Sequence, residues 1–267
     1  MSTNPTDLET VPAVPAATVM LARDDDEGVE VFVLRRTTNA AFGAGMYVFP
    51  GGKVDDIDHA ETLEPYCDGL DDTQASALLG VNHGGLAYWV AAVRECFEEA
   101  GVLLARSRDG GPPVFDEEDR RAVHAGELSM EELCRRHDLV LDLSAIRYVA
   151  HWVTPVGEGN RRFDTRFFLA AAPENQEGLH DDHETVDSRW VRPLSAIAQA
   201  EAGELQLMPP TIANLRFVGG HRTAEEALAA AGAAGPPPRI QPKIRRGDDG
   251  RVTGVAMPGD PDYDALV

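Results

Sequence analysis

The sequence predicts an α/β protein that forms one enlarged domain with insertions. Its 267 residues exceed the usual size of one domain, yet they can bury one sizeable core. Runs rich in β-branched and aromatic residues, which favour strands, lie on both sides of an amphipathic helix at residues 86–100. The length fits one enlarged α/β domain or a domain plus appendages, and this order of strand-like and helix-like segments is compatible with the α/β class.

The N-terminal part predicts a leader, a hairpin and a short strand. Residues 1–15 are polar and Pro-rich, which is typical of a disordered leader. Residues 16–34 contain two β-rich runs separated by an acidic turn, so we expect a hairpin. A short strand at residues 47–49 is then stopped by the Pro-Gly-Gly of residues 50–52.

The helix at residues 86–100 is the clearest in the chain. From Val90 onward, apolar residues recur at spacings of three, four and three, and Gly101 can end the helix in a left-handed conformation. A shorter helix is expected over residues 71–79. Another begins at Ser129, because Glu132 stands three residues later, as in a capping box.

Further elements follow in the C-terminal half. Strands are expected at residues 146–154, 162–171 and 186–191, and helices at residues 194–202, 210–218 and 223–231. Residues 232–267 form a tail that opens with a Gly/Pro-rich stretch. Two β-like runs in this tail, at residues 239–244 and 252–257, have no predicted place in the fold.

Charge and hydropathy restrict the partners of this chain. The chain has 24 Lys and Arg against 45 Asp and Glu, and its net charge of −21 repels nucleic acid and anionic lipid. No run of about 18 uncharged apolar residues occurs, and the N-terminus lacks a basic segment, so neither a membrane span nor export is indicated. A small anionic substrate can still bind where a divalent cation and a few Arg or Lys residues reverse the field.

The cysteines indicate a reducing compartment. Cys67, Cys96 and Cys134 are widely spaced and form no C-x-x-C pair. An odd number in a chain of this length does not suggest a disulfide framework. We therefore expect a cytoplasmic protein.

Three carboxylates share one face of the helix at residues 86–100. Glu95, Glu98 and Glu99 stand at positions i, i+3 and i+4. Like charges at this spacing destabilise an isolated helix by roughly 0.2–0.5 kcal/mol per pair, and the helix dipole disfavours anions near the C-terminus. Mg²⁺ or Mn²⁺, bound together with phosphate oxygens, would compensate them. For E-x-x-E-E alone, the alternative is an ordinary solvated helix face.

The surroundings of this cluster resemble the signature of the Nudix hydrolases, G-x5-E-x7-R-E-U-x-E-E-x-G-U, in which U is aliphatic. Taking Gly52 as the first glycine, the signature is matched by Arg94, Glu95, Glu98, Glu99, Gly101 and Val102. Cys96 takes an aliphatic position. Asp58 replaces the first glutamate of the signature, which keeps the charge but is one methylene shorter, so an anchoring role there is weakened or adjusted.

An insertion at about residues 59–86 interrupts this signature. Residues 59–93 number 35 where the signature has seven, so 28 are extra, and loop-closure entropy tolerates this if both ends stay anchored. F-P-G-G-x-x-D at residues 49–55 followed by a long insert resembles the branch that includes the peroxisomal coenzyme A diphosphatases. The C-terminal Ala-Leu-Val is not a peroxisomal address, so we do not carry over that location.

The resemblance implies a fold and a metal site. The fold would be an α/β/α sandwich with a mixed sheet over residues 16–231, plus the inserted segment and extra C-terminal helices. Glu98 and Glu99 would be the principal metal ligands, Glu95 a ligand to a second ion or through water, and the Gly51 carbonyl a further ligand. The resemblance also assigns Arg94 to fix the glutamates by ion pairing, and the alternative is a helix-surface arginine.

A general base and substrate-binding residues are also expected. By the resemblance, a glutamate outside the signature accepts a proton, and Glu184 is our candidate because it precedes the strand at residues 186–191. The rival acids are Glu177, Asp181, Asp182 and Asp187. For substrate phosphates we consider Arg35, Arg36, Arg162 and Arg166, which alternatively balance surface charge. Trp152, Phe163 and Phe167 either stack on a base or belong to the core. His180 and His183 lack the partners of a zinc site.

The implied function is metal-dependent hydrolysis of a pyrophosphate bond in a nucleoside-diphosphate compound. Coenzyme A or an acyl-coenzyme A is the first choice, and NADH or ADP-ribose the alternative. RNA cap removal is a third possibility, which the net charge of −21 and the lack of a basic stripe disfavour. A hypothesis of another class is a binding or regulatory module that keeps the fold without turnover. The intact Arg94, Glu95, Glu98 and Glu99 argue against it. The resemblance also allows a homodimer, because dimers are frequent among relatives.

Overall fold

The computed structural model describes residues 11–38, 43–59, 61–159, 161–181 and 184–266. Its N-terminal half contains β1 (Ala13–Asp25), β2 (Gly28–Arg36), β3 (Tyr47–Val48), β4 (Gly51–Lys53), β5 (Cys67–Asp68), α1 (Asp72–Leu79), α2 (Leu86–Ala100), β6 (Ala105–Ser107), α3 (Glu117–His124), α4 (Met130–His137) and β7 (Leu139–Asp142). Its C-terminal half contains β8 (Arg147–Val153), β9 (Arg162–Ala171), β10 (Thr185–Val191), α5 (Pro193–Glu201), α6 (Pro209–Gly219), α7 (Ala224–Ala233), β11 (Arg239–Ile240), β12 (Lys243–Arg246) and β13 (Val252–Ala256). Short 3-10 turns lie at Asp56–His59, Glu61–Tyr66, Leu143–Ala145 and Tyr263–Ala265.

A mixed sheet forms the middle layer. Its strand order is β10-β2-β1-β9-β8-β11, with β3 paired to β2 and β4 paired to β1. β1 runs parallel to β9 and antiparallel to β2 and β4. β2 and β4 pair with different parts of the same edge of β1. The sheet therefore opens between β2 and β4, close to the Pro-Gly-Gly segment.

Helices cover both faces of this sheet. Alternate residues of β1 point to opposite sides, so Val19 and Leu21 pack with α2 in one core cluster. Met20 and Ala22 belong to a second cluster, which also contains residues of α5, α6 and α7. The predicted α/β/α sandwich with a mixed sheet is confirmed.

The insertion is folded onto the domain. α1 begins after Asp71, whose side chain accepts a hydrogen bond from Gln74 N, so the helix expected at residues 71–79 is confirmed. β5 joins β7 and β6 in a small second sheet, and Leu63 and Leu79 enter the core beside α2. No pattern in the sequence predicted β6, α3 or β7.

The expected chain ends differ from the structure at two places. β1 begins at Ala13, so its first three residues fall within the predicted leader, while residues 1–10 lie outside the described part. The predicted tail contains β11, which pairs with β8 in parallel, and the hairpin of β12 and β13. None of the helices in the described residues combines the length and the apolar character needed to cross a bilayer.

Candidate active site

The carboxylate face of α2 lies against the two glycines of β4. Glu99 is 3% exposed, and its Oε2 accepts a hydrogen bond of 2.9 Å from the Gly51 backbone N–H. A Cβ added to Gly52 would lie 2.6 Å from the carboxyl carbon of Glu95, so a larger residue would displace that carboxylate. The structure therefore brings Glu95, Glu98 and Glu99 to the Gly51–Gly52 bend, across the insertion.

Arg94 is the centre of this arrangement and is not a helix-surface arginine, because it is only 7% exposed. Its Nε and Nη2 each donate to a different oxygen of Asp58 at 2.9 Å. Its Nη1 donates to Glu95 at 2.8 Å and to Glu98 at 3.3 Å. Asp58, despite its shorter side chain, thus fixes the start of the insertion to α2.

The glutamates carry more negative charge than their protein neighbours neutralise. Burial raises the pKa of Glu95 to about 7, and the charge of Glu98 adds to this rise while Arg94 opposes it. The pKa of Glu99 is raised well above its ordinary value, first by burial and then by the charge of Glu95. Burial also raises the pKa of Glu98. A cation placed among these groups would relieve the crowding of charge.

The donor set fits a hard divalent cation. The three side chains offer only oxygen atoms, and they line the cleft at a bend where the missing Cβ of Gly52 lets the Glu95 carboxylate approach the backbone closely. Within the described part of the chain, no three Asp, Glu, His or Cys side chains already converge on one point. The reason is visible here, since Arg94 binds Glu95 and Glu98 while Gly51 N–H binds Glu99.

A long cleft of about 970 Å³ leads away from the glutamates. Its floor crosses β4, β1, β9 and β8, where Lys53 is aligned with Ala16, Ala16 with Thr165, and Thr165 with Trp152. Three strand spacings of about 4.8 Å make this floor roughly 14 Å wide. The cleft is therefore long enough for a substrate that extends well beyond one diphosphate.

The aromatic candidates Trp152, Phe163 and Phe167 all line this cleft. Trp152 and Phe167 also belong to the second core cluster, where they are 5% and 8% exposed. Met46 and Met208 line the same cleft. Trp152 and Phe167 therefore belong to the core and also line the cleft, while stacking of a base on these residues stays a prediction.

Arg36 and Glu184 are brought together at the cleft. Arg36 Nη2 lies 3.7 Å from Glu184 Oε2, and Thr37 N donates to the Glu184 carbonyl at 3.0 Å. The charge of Glu184 contributes to the raised pKa of Glu99, so the two carboxylates lie within electrostatic reach.

The rival acids on that loop are engaged elsewhere or exposed. Asp181 accepts hydrogen bonds from Glu184 N and Thr185 N, Asp187 accepts one from Tyr47, and Glu177 is exposed. His180 Nδ1 lies 3.1 Å from Ser188 Oγ, whereas Asp182 and His183 fall outside the described residues.

The placement of the other three arginines does not support a role in phosphate binding. Arg35 Nε donates to the Gly45 carbonyl, and the buried Arg162 donates to the carbonyls of Thr154 and Val11. The buried Arg166 contacts His151 and Asp164. Side chains alternate along a strand, so the presence of Phe163 and Phe167 in the cleft sends Arg162 and Arg166 to the other face.

Sequence reasoning missed two cations and a wall of the cleft. Lys53 and Arg161 line it, and the described residues include no hydrogen-bond or ion-pair partner for either side chain. The alternation of side chains along a strand was the available signal for Arg161, because Arg161 stands two residues before Phe163. Pro242 and Val255 of the expected tail also line the cleft, and no sequence signal placed them there.

Comparison with known proteins agrees with this geometry. A family model described as the NUDT19 Nudix domain matches residues 71–218. The acyl-coenzyme A diphosphatase NUDT19 of Gallus gallus is 30% identical over 221 residues, which cover 68% of this chain and 58% of that protein. The acyl-coenzyme A diphosphatase NUDT19 of Homo sapiens is 29% identical, with 71% and 60% covered. This chain thus matches at most 60% of the length of these two relatives.

A solved structure shares the architecture. The crystal structure of a Nudix hydrolase from Alicyclobacillus acidocaldarius superposes with a TM-score of 0.70 at 28% sequence identity. The superposition covers 82% of this chain and 97% of that one. Because the family model spans more than half of the chain and includes Arg94 and the glutamates of α2, this chain belongs to the Nudix family, in the group of the NUDT19 Nudix domain.

Proposed function

We propose that this protein is a metal-dependent hydrolase that cleaves the pyrophosphate bond of coenzyme A or an acyl-coenzyme A. The observation that carries the proposal is the position of Glu95, Glu98 and Glu99 beside Gly51 and Gly52, at one end of a long, partly aromatic cleft. The substrate class is supported by the names of the curated relatives, which are acyl-coenzyme A diphosphatases.

Glu98, Glu99 and Glu95, together with the Gly51 carbonyl, would hold Mg²⁺ or Mn²⁺. Bound there, the cation would supply Lewis-acid polarisation of the diphosphate and a lowered pKa for a water. Arg94 keeps Glu95 and Glu98 oriented through its hydrogen bonds, and Asp58 in turn fixes Arg94. Removal of a principal ligand should therefore lower the rate by several orders of magnitude.

The residues around the glutamates have complementary roles in this proposal. Glu184 accepts the proton of the water that attacks one phosphorus atom, because it lines the cleft within electrostatic reach of Glu99. Arg36 holds Glu184 and faces the same space, so it can also bind a phosphate oxygen. Lys53 adds a second positive charge at the same end of the cleft.

We also propose a cytoplasmic location, since the three cysteines are free in the structure. The homodimer stays a prediction.

The test is a substrate screen with purified protein. Coenzyme A, an acyl-coenzyme A, NADH, ADP-ribose and capped RNA are incubated with Mg²⁺, with Mn²⁺ or with a chelator, and the products are identified by mass. We expect metal-dependent release of adenosine 3′,5′-bisphosphate and 4′-phosphopantetheine from coenzyme A. Faster turnover of NADH or ADP-ribose would correct the substrate and keep the site.

The matched variant is the double substitution Glu98→Gln, Glu99→Gln, which removes two charges with little change in shape. Its unfolding curve should show that the fold is retained, and its turnover should be lost. Equal rates for the variant and the wild type would show that Glu98 and Glu99 do not form the proposed metal site. Binding of coenzyme A without turnover by the wild type would favour the binding module.

A further inference from the structure

The C-terminal segment at residues 239–256 builds the far wall of the cleft, beyond the residues that the family model matches. β11 extends the sheet in parallel to β8, with Ile240 aligned to Trp152. The following hairpin brings Pro242 and Val255 to the cleft, and its Ala256 is fully buried. The wall is therefore a packed part of the fold.

The hairpin is fastened at both sides. Arg246 Nη2 donates to the Gly157 carbonyl at 3.4 Å, which joins it to the turn between β8 and β9. Arg245 binds Asp260 and Asp262, each at 2.7 Å, which joins it to the last residues of the chain. Lys243 donates to the Leu266 carbonyl. The basic residues of β12 are thus used to hold the wall in place.

Arg161 differs from these cations. It lies on the turn between β8 and β9, lines the cleft beside the hairpin, and has no hydrogen-bond or ion-pair partner among the described residues. The nearest acidic residue along this turn that lines the cleft is Glu158. In a chain with a net charge of −21, an exposed guanidinium inside a cleft is a strong local site for an anion.

The distance between Arg161 and Lys53, which lies at the glutamate end of the cleft, is suited to a substrate with a second phosphate group. Lys53 is two strands from Thr165 in the sheet, and Arg161 precedes Thr165 by four residues. Two spacings of about 4.8 Å and four residues of about 3.3 Å place the Cα atoms of Lys53 and Arg161 roughly 16 Å apart. Both side chains line the same cleft, so at this spacing their charged ends can contact two different phosphates of one nucleotide that lies over Phe163 and Trp152.

We propose that Arg161, presented beside the C-terminal hairpin, binds a phosphate monoester on the nucleotide half of the substrate. Under the proposed function, on which this inference rests, that group is the 3′-phosphate of coenzyme A. The adenine lies on the aromatic side of the cleft near Trp152 and Phe163, and the acyl or pantetheine half extends toward Met46 and Met208. Arg161 is therefore a specificity-determining residue for 3′-phosphorylated nucleotides.

The direct test is equilibrium binding without turnover. Adenosine 3′,5′-bisphosphate and adenosine 5′-monophosphate, which differ by the 3′-phosphate, are titrated into the wild type and Arg161→Gln by calorimetry. The wild type should bind the bisphosphate at least tenfold more tightly, as expected for charge-assisted hydrogen bonds to one phosphate. In Arg161→Gln this preference should disappear while the affinity for the monophosphate stays unchanged.

Two matched variants control for charge and for the hairpin. Arg251→Gln makes the same charge change at an exposed arginine of the hairpin turn and should leave the preference intact. Glu158→Gln removes the neighbouring carboxylate and should strengthen binding of the bisphosphate alone. A wild type without preference, or an Arg161→Gln protein that weakens both nucleotides equally, would overturn the proposal.

The kinetic counterpart separates this proposal from the proposed function. For coenzyme A, Arg161→Gln should raise KM roughly tenfold and leave kcat unchanged. For 3′-dephospho-coenzyme A, both constants should match those of the wild type. If the wild type cleaves neither compound, the proposed function fails, whereas the nucleotide titrations still decide the role of Arg161.

Discussion

At the scale of single residues, the pair of Arg94 and Asp58 explains how an interrupted motif stays closed. Both side chains are buried, and two hydrogen bonds of 2.9 Å join them in a fork-like geometry. Arg94 Nη2 also donates to the Lys53 carbonyl at 2.9 Å. One guanidinium therefore joins α2, β4 and the start of the insertion, which is the anchoring that a long inserted loop requires.

The substitution Asp58→Ala should destabilise the protein by about 3–5 kcal/mol, because it leaves the buried Arg94 without its main partner. Urea unfolding in the presence of chelator measures this loss. Asp58→Glu is the control, since it keeps the charge and restores the glutamate of the family signature, and it should be milder. A loss below about 1 kcal/mol for Asp58→Ala would show that Glu95 and Glu98 are sufficient partners for Arg94.

The raised pKa of Glu95 should be visible in the pH dependence of the free energy of unfolding. The folded-state pKa of Glu95, about 7, lies above its ordinary value of 4.5, so the folded state keeps a proton that the unfolded chain has already released. In chelator, the contribution of Glu95 to the free energy of unfolding should therefore be fully present below pH 4.5 and be lost as the pH rises to about 7.

Mg²⁺ should reduce this fall, because a cation stabilises the ionised carboxylates. Denaturant unfolding at several pH values, with and without Mg²⁺, measures both effects. Glu95→Gln carries no titrating group at this position and should show a shallower dependence. An identical slope for Glu95→Gln and wild type would contradict the role assigned to this carboxylate.

At the scale of elements, α3 connects the two parts of the active site. Arg120 is buried, and it donates from Nε to the Glu98 carbonyl at 3.1 Å and from Nη2 to the Leu179 carbonyl at 3.0 Å. Leu179 N donates to the Ala100 carbonyl at 2.9 Å. α3 therefore holds the C-terminal end of α2 against the loop that leads to Glu184.

Arg120→Met should lower stability by about 2–3 kcal/mol, because two partly buried hydrogen bonds from a charged donor are lost. It should also lower kcat more than it raises KM, since α3 no longer fixes the position of Glu98 relative to Glu184. Arg121→Met is the matched control on the same helix; Arg121 is exposed, and its loss should change stability by less than about 0.5 kcal/mol. Unchanged kcat in Arg120→Met would leave α3 with a structural role alone.

The limits of the sequence prediction follow from the size and patterning of the elements. α2 was predicted because its apolar residues recur with helical spacing, and the same periodicity placed the three glutamates on one face. α3 was missed because it has eight residues, most of them charged, so its short buried stripe of Arg120 and Val123 gives little signal. β11 has only two residues, and its pairing with β8 depends on contacts distant in sequence.

The prediction of phosphate-binding arginines was also limited, because it depends on contacts that are distant in sequence. Arg162 and Arg166 were nominated together with Phe163 and Phe167, although alternate residues of one strand face opposite sides. Only knowledge of which face carries the cleft separates the two sets. That knowledge comes from the helices and the tail hairpin that pack on the sheet, and no local pattern in β9 contains it.

At the scale of the whole molecule, the cleft is assembled from distant parts of the chain. Its catalytic end is formed by β4, α2 and the segment before β10, and its far end by the turn between β8 and β9 and the C-terminal hairpin. The first group and its contacts lie within residues 36–184, so these contacts do not involve the tail. We therefore expect the proposed cleavage and the proposed substrate selection to depend on separable parts of the fold.

A pair of truncations tests this separation. Ending the chain after Pro238 removes β11 and the hairpin, and it exposes apolar residues that Ile240 and Met257 cover. We expect lower thermal stability and at least a tenfold rise in KM for coenzyme A, while metal-dependent cleavage persists because Arg94, Glu98 and Glu99 keep their contacts.

Ending the chain after Met257 keeps the hairpin but removes the acidic partners of Arg245, so its KM should lie between those of the full chain and the shorter protein. Circular dichroism would first establish that both proteins are folded, and steady-state kinetics with coenzyme A would then rank them. Loss of cleavage at saturating substrate in a folded protein ending at Pro238 would show that the hairpin contributes to the chemical step as well as to binding.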